Sequence, residues 1–384
     1  MRPALRIYTA FFLYAAALGG FFPRLGDVQA RLGSDEFSLG LALMGTAAGT
    51  FVSLTFAGPL IERWGHRRTL LLAIPGTAGC YALASWAHSP VQLLLALLPA
   101  GLCIGVVEII VNLEADRLEH QTGQRLMSRA HACWSIGFFA SGLLGAALAQ
   151  WGWSAPAHLM AQFGLVAALC LAALWSFEPA AVRPSTHLSA AGRVGPSSTT
   201  WMLVAACLAA MLMEGASADW SAIYLRKSFD AEPGLAGAGV TLAAGAQAWA
   251  RWHADQIIDR WGATRVARGL LLALGAGCLL VLLAPSPAWA LAGFAAMGLG
   301  TSALFPLAMS AAAQSPDRSA HVNVAALAQL AFMTFLAGPP MLGWVASHWG
   351  LRWVFGLGLP LVALGWWAAS SLAPAVARPP KESP

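Results

Sequence analysis

The stretch Ile61-Glu62-Arg63-Trp64-Gly65 returns 197 residues later as Ile258-Asp259-Arg260-Trp261-Gly262. Arg68 maps onto Arg265, and Gly40 onto Gly237, at the same offset. That offset is close to half of the 384-residue chain, so the chain reads as two copies of one unit. Each pentapeptide ends an apolar run and opens a short basic gap. In the first unit the apolar runs fall at about 5–23, 37–59, 69–88, 91–113, 130–151 and 156–177. In the second they fall at about 200–225, 235–254, 266–284, 287–311, 321–345 and 351–373. A helix needs about 20 apolar residues to cross a hydrocarbon core, so twelve spans use roughly 240 positions and leave about 12 for each connection. The expected architecture is an all-α membrane protein with 12 transmembrane helices in two six-helix halves. The N-terminal half is residues 1–177, and the C-terminal half with a short tail is residues 200–384. Residues 178–199, rich in Pro, Ser, Gly and Ala, read as a flexible cytoplasmic linker. Pro90 and Pro287 mark helix starts, while Gly58-Pro59 and Pro233-Gly234 mark chain breaks.

Composition agrees. The chain is 58% hydrophobic and 10% charged, against about 25% charged in soluble domains, so it cannot cover a water-facing surface. The net charge of +5 does not point to nucleic acid, because the basic residues are dispersed in the gaps between spans. Seventeen of the 22 Lys and Arg fall on one side of the twelve-span plan and five on the other. Lys and Arg concentrate in cytoplasmic loops, which places both termini in the cytoplasm. The first span follows Arg2 and Arg6 as a signal peptide would, but no polar mature domain follows it, so it reads as a retained helix. Cys80, Cys103, Cys133, Cys170, Cys207 and Cys278 all lie in apolar stretches without metal-ligand or disulfide spacing. They read as small packing residues.

The loop after the second span runs Gly58-Pro59-Leu60-Ile61-Glu62-Arg63-Trp64-Gly65-His66-Arg67-Arg68. Gly58 and Gly65 suit a tight turn and close helix approach. Glu62 suits a helix terminus or a neighbouring cation, and Arg63 and Arg67 hold the loop at the cytoplasmic surface. The loop resembles the signature of the major facilitator superfamily, with Glu62 where aspartate is usual and His66 where arginine is usual. The resemblance implies a latch that stabilises one conformation of a transport cycle. It implies the same role for the second copy, Asp259, Arg260 and Gly262, and for Arg251 with Asp255 one turn later.

Further stretches carry a closer resemblance. They are Gly105-Val106-Val107-Glu108-Ile109-Ile110-Val111-Asn112, Arg129-Ala130-His131, Trp134-Ser135-Ile136-Gly137, Glu214 to Leu225, and Gly338-Pro339-Pro340. Together they resemble the YbjJ-like branch of the superfamily, bacterial inner-membrane proteins distantly similar to fucose permease. That branch usually has aspartate where this chain has Glu108.

A charge at the bilayer centre costs about 2.5–3.5 kcal/mol on insertion scales, so an ionisable residue deep in a span marks function by default. By position Glu108 and Glu214 are deep, Asp219 lies toward the outer end of its helix, and His131 sits at the inner start of the fifth span. Glu108 and Asn112 share a helix face. A carboxyl in apolar surroundings can exchange a proton near neutral pH, which makes Glu108 and Glu214 proton-coupling candidates. The alternative is an acid that only ties helices together, or, for Asp219, one that caps a helix end. Trp134, Trp220 and Tyr224 are candidates to stack on a sugar ring or a flat cation. With 17 Trp in the chain, most must be interfacial anchors. Gly101, Gly105, Gly298 and Gly300 fit close helix packing.

The sequence therefore points to a secondary transporter of a small organic solute, coupled to protons, without cofactor or metal and working as a monomer in the bilayer. Sugar-like uptake and amphipathic efflux stay open, as does a non-transporting sensor on the same scaffold. The phosphate loop of ATP-driven pumps is absent, as are the His-Glu-x-x-His and Gly-x-Ser-x-Gly motifs of hydrolases. An enzyme is not expected.

Overall fold

In a hydrocarbon solvent each helix satisfies its own backbone, and this chain takes that solution throughout. The structure, a computed structural model, describes residues 3–123, 126–181, 196–318 and 320–373. Most of the expected linker at 178–199 lies outside the described residues. The first half comprises α1 (Pro3–Gly19), α2 (Leu25–Leu32), α3 (Glu36–Phe56), α4 (Gly58–Ala84), α5 (Pro90–Thr122), α6 (Met127–Gln150) and α7 (Ala155–Leu174). The second comprises α8 (Ser198–Phe229), α9 (Pro233–Trp261), α10 (Ala263–Leu282), α11 (Pro287–Thr301), α12 (Leu304–Gln314), α13 (Ala320–Trp349), α14 (Leu351–Gly356) and α15 (Gly358–Ala368). Short 3-10 turns at Phe22–Arg24 and Ala369–Leu372 complete the elements.

Ten helical stretches among the described residues are long and apolar enough to cross a membrane. Three of them are composite: α1 with α2, α11 with α12, and α14 with α15. The other two crossings are α4 and α9, which carry the repeated pentapeptide and its charges. The expected twelve crossings are therefore present, and an even number leaves both described ends on one face, called here the terminal face. Of the 17 tryptophans, all but Trp134 and Trp220 are exposed, as a belt of interfacial anchors requires.

Helix ends follow from local chemistry. Ser89 caps α5 by accepting from the Gln92 backbone N–H, with Pro90 in the first turn. Asp35 caps α3 through the Ser38 N–H at 2.8 Å. Hydrogen bonding to Ser38, first from its hydroxyl and then from its backbone N–H, holds the Asp35 carboxyl below the usual carboxylate range. Gly65 adopts φ 75°, ψ 157° within α4, and Gly262 adopts φ 80°, ψ 151° between α9 and α10. Only glycine occupies that region readily, so the repeated glycine bends the chain identically in both units. Gly58 behaves differently from expectation. It opens α4 with no atom near the place of a side chain, so it supports no close helix approach.

The repeat extends from sequence to contacts. A Cβ on Gly101 of α5 would lie 2.0 Å from the Thr46 carbonyl oxygen of α3. At the same 197-residue offset, a Cβ on Gly298 of α11 would lie 2.1 Å from the Ala243 oxygen of α9. No real side chain fits either place, so glycine sets both helix separations. Gly105 and Gly300 are equally crowded, by Ser53 and Leu274.

The halves meet through α3 against α13 and α6 against α9, which are equivalent pairings under the repeat. Here too the aligned glycines make the contact. Gly40 abuts the Pro339 oxygen, and Gly237 abuts Ala146 and Pro23. On the face opposite the termini, Arg226 pairs with Asp27, and Lys227 pairs with Glu36 at 2.6 Å. Gln150 donates to Glu232 at 2.8 Å. Each of these links joins one half to the other, so the halves are closed together on that face.

Gly40→Ala and Gly237→Ala are expected to loosen this closure while leaving each half folded. A cysteine introduced at Ile223, buried beside these links, should then react faster with an added thiol reagent. Unchanged reactivity in both variants would show that the glycine contacts do not hold the face shut.

Candidate functional site

Each half carries one polar group, and the second reaches across to the first half through Ser135. In the first, α5 presents Glu108 and Asn112 one turn apart. The Asn112 side chain donates to Glu108 Oε1 at 3.0 Å and to the Glu108 carbonyl at 2.9 Å. Tyr14 of α1 neighbours the same carboxyl. Its ring meets Trp134 of α6 edge-on at 6.2 Å, and Trp134 stacks on Phe138 at 5.4 Å. One turn toward the terminal face, His131 packs edge-on against Phe11 at 5.1 Å and is exposed.

In the second half, Arg251 of α9 donates through Nη2 to Glu214 of α8, at 3.3 Å to Oε1 and 3.5 Å to Oε2. Its Nε donates to the Ser302 carbonyl at 2.9 Å. Ser302 lies in the break between α11 and α12, where the helix gives up a carbonyl that a charged donor can use. Nearby, Gln247 donates to Thr301 Oγ1 at 3.2 Å. Arg251 Nη1 also reaches Ser135 Oγ of the first half at 3.4 Å. One guanidinium thus touches α6, α8 and the α11–α12 break.

The energetics favour keeping this pair together. Two opposite charges about 4 Å apart attract by about 4 kcal/mol at an effective dielectric near 20. Inserting each alone costs about 3 kcal/mol, so pairing offsets much of the combined cost. Both side chains stay partly accessible, 23% for Arg251 and 31% for Glu214. The pair is open to a solute as well as to its partner.

Several expected residues fall elsewhere. Trp220 is fully buried with its Nε1 unpartnered. Tyr224 is also buried, donates to the Val281 carbonyl at 2.8 Å, and packs against Phe229, Phe294 and Phe355. Tyr224 packs inside the second half, and Trp220 has no exposed surface to offer a solute. Spacing along α8 could not separate its two faces, because both are apolar. Asp219 is half-buried between these groups and the opposite face. Arg251, read with the second loop signature, belongs instead to the charged pair with Glu214, whereas Asp255 is exposed. Sequence reasoning missed Tyr14, and it missed Ser135 and Ser302 as partners of a charge. The signals were present: a tyrosine inside the first span, and Gly300-Thr301-Ser302 followed by Pro306 inside the tenth.

The loop residues form a third group at the terminal face. Glu62, Arg63, Asp259 and Arg260 are exposed. His66 Nδ1 pairs with Glu114 Oε1 at 2.5 Å, and Glu114 is 2% exposed. Glu114 also accepts from Arg117 at 3.2 Å and from the Ala180 backbone N–H at 2.7 Å. One buried carboxylate therefore ties the signature loop to the segment leaving the first half. Glu119 accepts from the N–H groups of Leu126 and Met127, closing the turn into α6.

Two halves related by a direct repeat, with a charged pair reaching across their interface, are the plan of a secondary transporter. The Major Facilitator Superfamily model matches residues 7–333 and 202–384, and the chain belongs to that superfamily, whose members are transporters and not enzymes. It is 30% identical over 369 residues to the uncharacterized transporter y4wD of Sinorhizobium fredii, covering 95% of this chain and 97% of the relative. It is 28% identical over 355 residues to an uncharacterized MFS-type transporter of Yersinia pestis, with 90% of each chain covered. Among solved structures, a mutant of the nucleoside transporter NupG superposes with a TM-score of 0.71 at 14% identity, covering 97% of this chain and all of that one.

If Arg251 and Glu214 are coupled as described, the stability losses of Arg251→Gln and Glu214→Gln should not add. The double variant should melt higher than the sum of single losses predicts, by a coupling of about 1–2 kcal/mol. Strict additivity in detergent melts would contradict the pairing.

Proposed function

We infer that this secondary transporter carries a small polar organic solute, coupled to protons, across the bacterial inner membrane. The observation that supports this best is the meeting of Ser135 from the first half with Glu214, Arg251 and the Ser302 carbonyl from the second, alongside the Glu108–Asn112 pair of the first half. An amphipathic substrate would be better served by an apolar lining with a single acid, whereas hydroxyl-rich solutes match this density of donors and acceptors. The likeness to a nucleoside transporter fold agrees with a polar solute. Trp134, stacked on Phe138 and half-buried, offers a face for a sugar or base ring. Glu108 is the coupling acid in this reading, with Asn112 and Tyr14 exchanging hydrogen bonds as it gains and loses a proton. The solute competes with Glu214 for Arg251. Asp219 and His131 line the approaches.

The basic excess of the terminal face makes it cytoplasmic, with both termini inside. Closure of the opposite face then corresponds to an inward-facing state. The signature loops, with Gly58, Glu62, Arg63, Gly65, Arg67, Asp255, Asp259, Arg260 and Gly262, latch the alternative outward-facing state. Their exposure here fits a latch that is disengaged. The motifs around Glu108 and Glu214 support reading the chain as a member of the YbjJ-like branch, distantly similar to fucose permease. The transporter works as a monomer, with residues 1–177 and 200–384 as its moving halves.

The test is flux in proteoliposomes carrying an imposed pH gradient, with labelled pentoses, hexoses and nucleosides. The wild type should accumulate at least one solute as protons flow. Glu108→Gln should lose accumulation while retaining exchange of solute for solute. Accumulation that survives in both Glu108→Gln and Glu214→Gln would sink the coupling assignment. Absence of saturable flux with every solute would favour the sensor reading.

A further inference from the structure

On the terminal face, the start of the second half of α4 and the end of α7 enclose a groove of about 420 Å³. Trp64, His66, Arg67, Arg68, Leu71 and Trp175 line it. The groove is basic at one end and apolar along its length. The Arg67 guanidinium carbon lies 4.9 Å from the Trp175 ring centroid. Stacking holds a guanidinium by its face and leaves its N–H rim free to grip a phosphate. Neither Arg67 nor Arg68 makes an ion pair or side-chain hydrogen bond among the described residues. The nearby acids are otherwise engaged or turned away. Glu114 is buried against His66 and Arg117, Glu178 pairs with Arg6 at 3.6 Å, and Glu62 is exposed on the preceding turn.

The internal repeat isolates what is special here. In the second half Arg268 lies 5.4 Å over Trp366, but Arg268 aligns with Leu71 and not with Arg67. The repeat also keeps Trp261, Gly262 and Arg265. However, it places Ala263 and Thr264 where the first half has His66 and Arg67. Arg265 and Arg268 give the second half two arginines as well, but Arg268 stands in the place of Leu71, so the adjacent pair Arg67 and Arg68, and the groove it lines, belong to the first half.

We propose that this groove binds an anionic phospholipid, with Arg67 and Arg68 on the headgroup phosphate and an acyl chain along Leu71 and Trp175. The apolar length of the groove selects a lipid over free phosphate, and unpaired basic groups at a membrane surface select an anionic headgroup over a zwitterionic one. Because Gly65 and His66 belong to the same wall, an occupied groove stiffens the bend between the signature loop and α4.

The full chain, delipidated in a neutral detergent, would be melted with phosphatidylglycerol, phosphatidylcholine or inorganic phosphate added. Phosphatidylglycerol should raise the wild-type melting point saturably, while phosphatidylcholine and inorganic phosphate should not. Arg67→Gln with Arg68→Gln should weaken the apparent phosphatidylglycerol affinity by at least about tenfold. Arg265→Gln with Arg268→Gln should leave it unchanged, and both variants should melt normally without lipid. An equal response in the Arg67 and Arg68 variant would overturn the site. An equal effect of phosphatidylcholine, or of inorganic phosphate, would overturn the anionic-lipid assignment.

Discussion

A charge inside a bilayer must find a partner, and the core of this molecule is arranged around that requirement. Arg251 is a cation at the junction of the halves, met by Glu214, by the Ser302 carbonyl and by Ser135. The break between α11 and α12 exists at the point where a free carbonyl is useful. The contact with Ser135 brings the first half to the same guanidinium. Helix geometry, helix breakage and the meeting of the halves thus converge on one side chain. The first-half acid is handled differently: Glu108 is hydrogen-bonded by Asn112 and has no ionic partner among the described residues. A carboxyl can shed its charge by taking a proton, whereas an arginine cannot. In the proposed cycle this asymmetry assigns the proton to Glu108 and the solute to Arg251.

Around this centre the molecule is built twice from the same contacts. Glycines at one sequence offset bend the chain at 65 and 262, and set helix spacing at 101 and 298. They bring the halves together at 40 and 237. Small residues are the natural means of packing helices where hydrophobic driving force is weak. Their placement also leaves interfaces that part without breaking many polar bonds. The exception is the face opposite the termini, where Asp27, Glu36, Arg226 and Lys227 add charge to the closure. Being near water, those pairs are individually weak and reversible, which suits a gate.

Much of this was legible in the residues. The repeat, the span positions, the basic bias and the loop signature all follow from spacing and composition, because membrane thickness and charge cost act directly on sequence. What was not legible was facing. On α8 every side is apolar, so Trp220 and Tyr224 read as cavity groups although they pack inward. The partner of Arg251 was hidden for a related reason: Glu214 lies 37 residues earlier, on a helix whose rotation only packing decides. Glu114 was invisible as a hub, since its partners come from the signature loop, its own helix and the segment beyond α7.

The central claim is that two rigid halves close alternately on either side of the Arg251 site. It is tested most directly by paired spin-label distances in the full chain reconstituted in lipid. One label pair would sit at Arg31 and Glu232 on the closed face, and the other at Arg63 and Arg260 on the terminal face. The account predicts two populations, in which a long distance on one face accompanies a short one on the other, with proton concentration shifting their ratio. Distances that stay single-valued on both faces, or lengthen on both together, would contradict it.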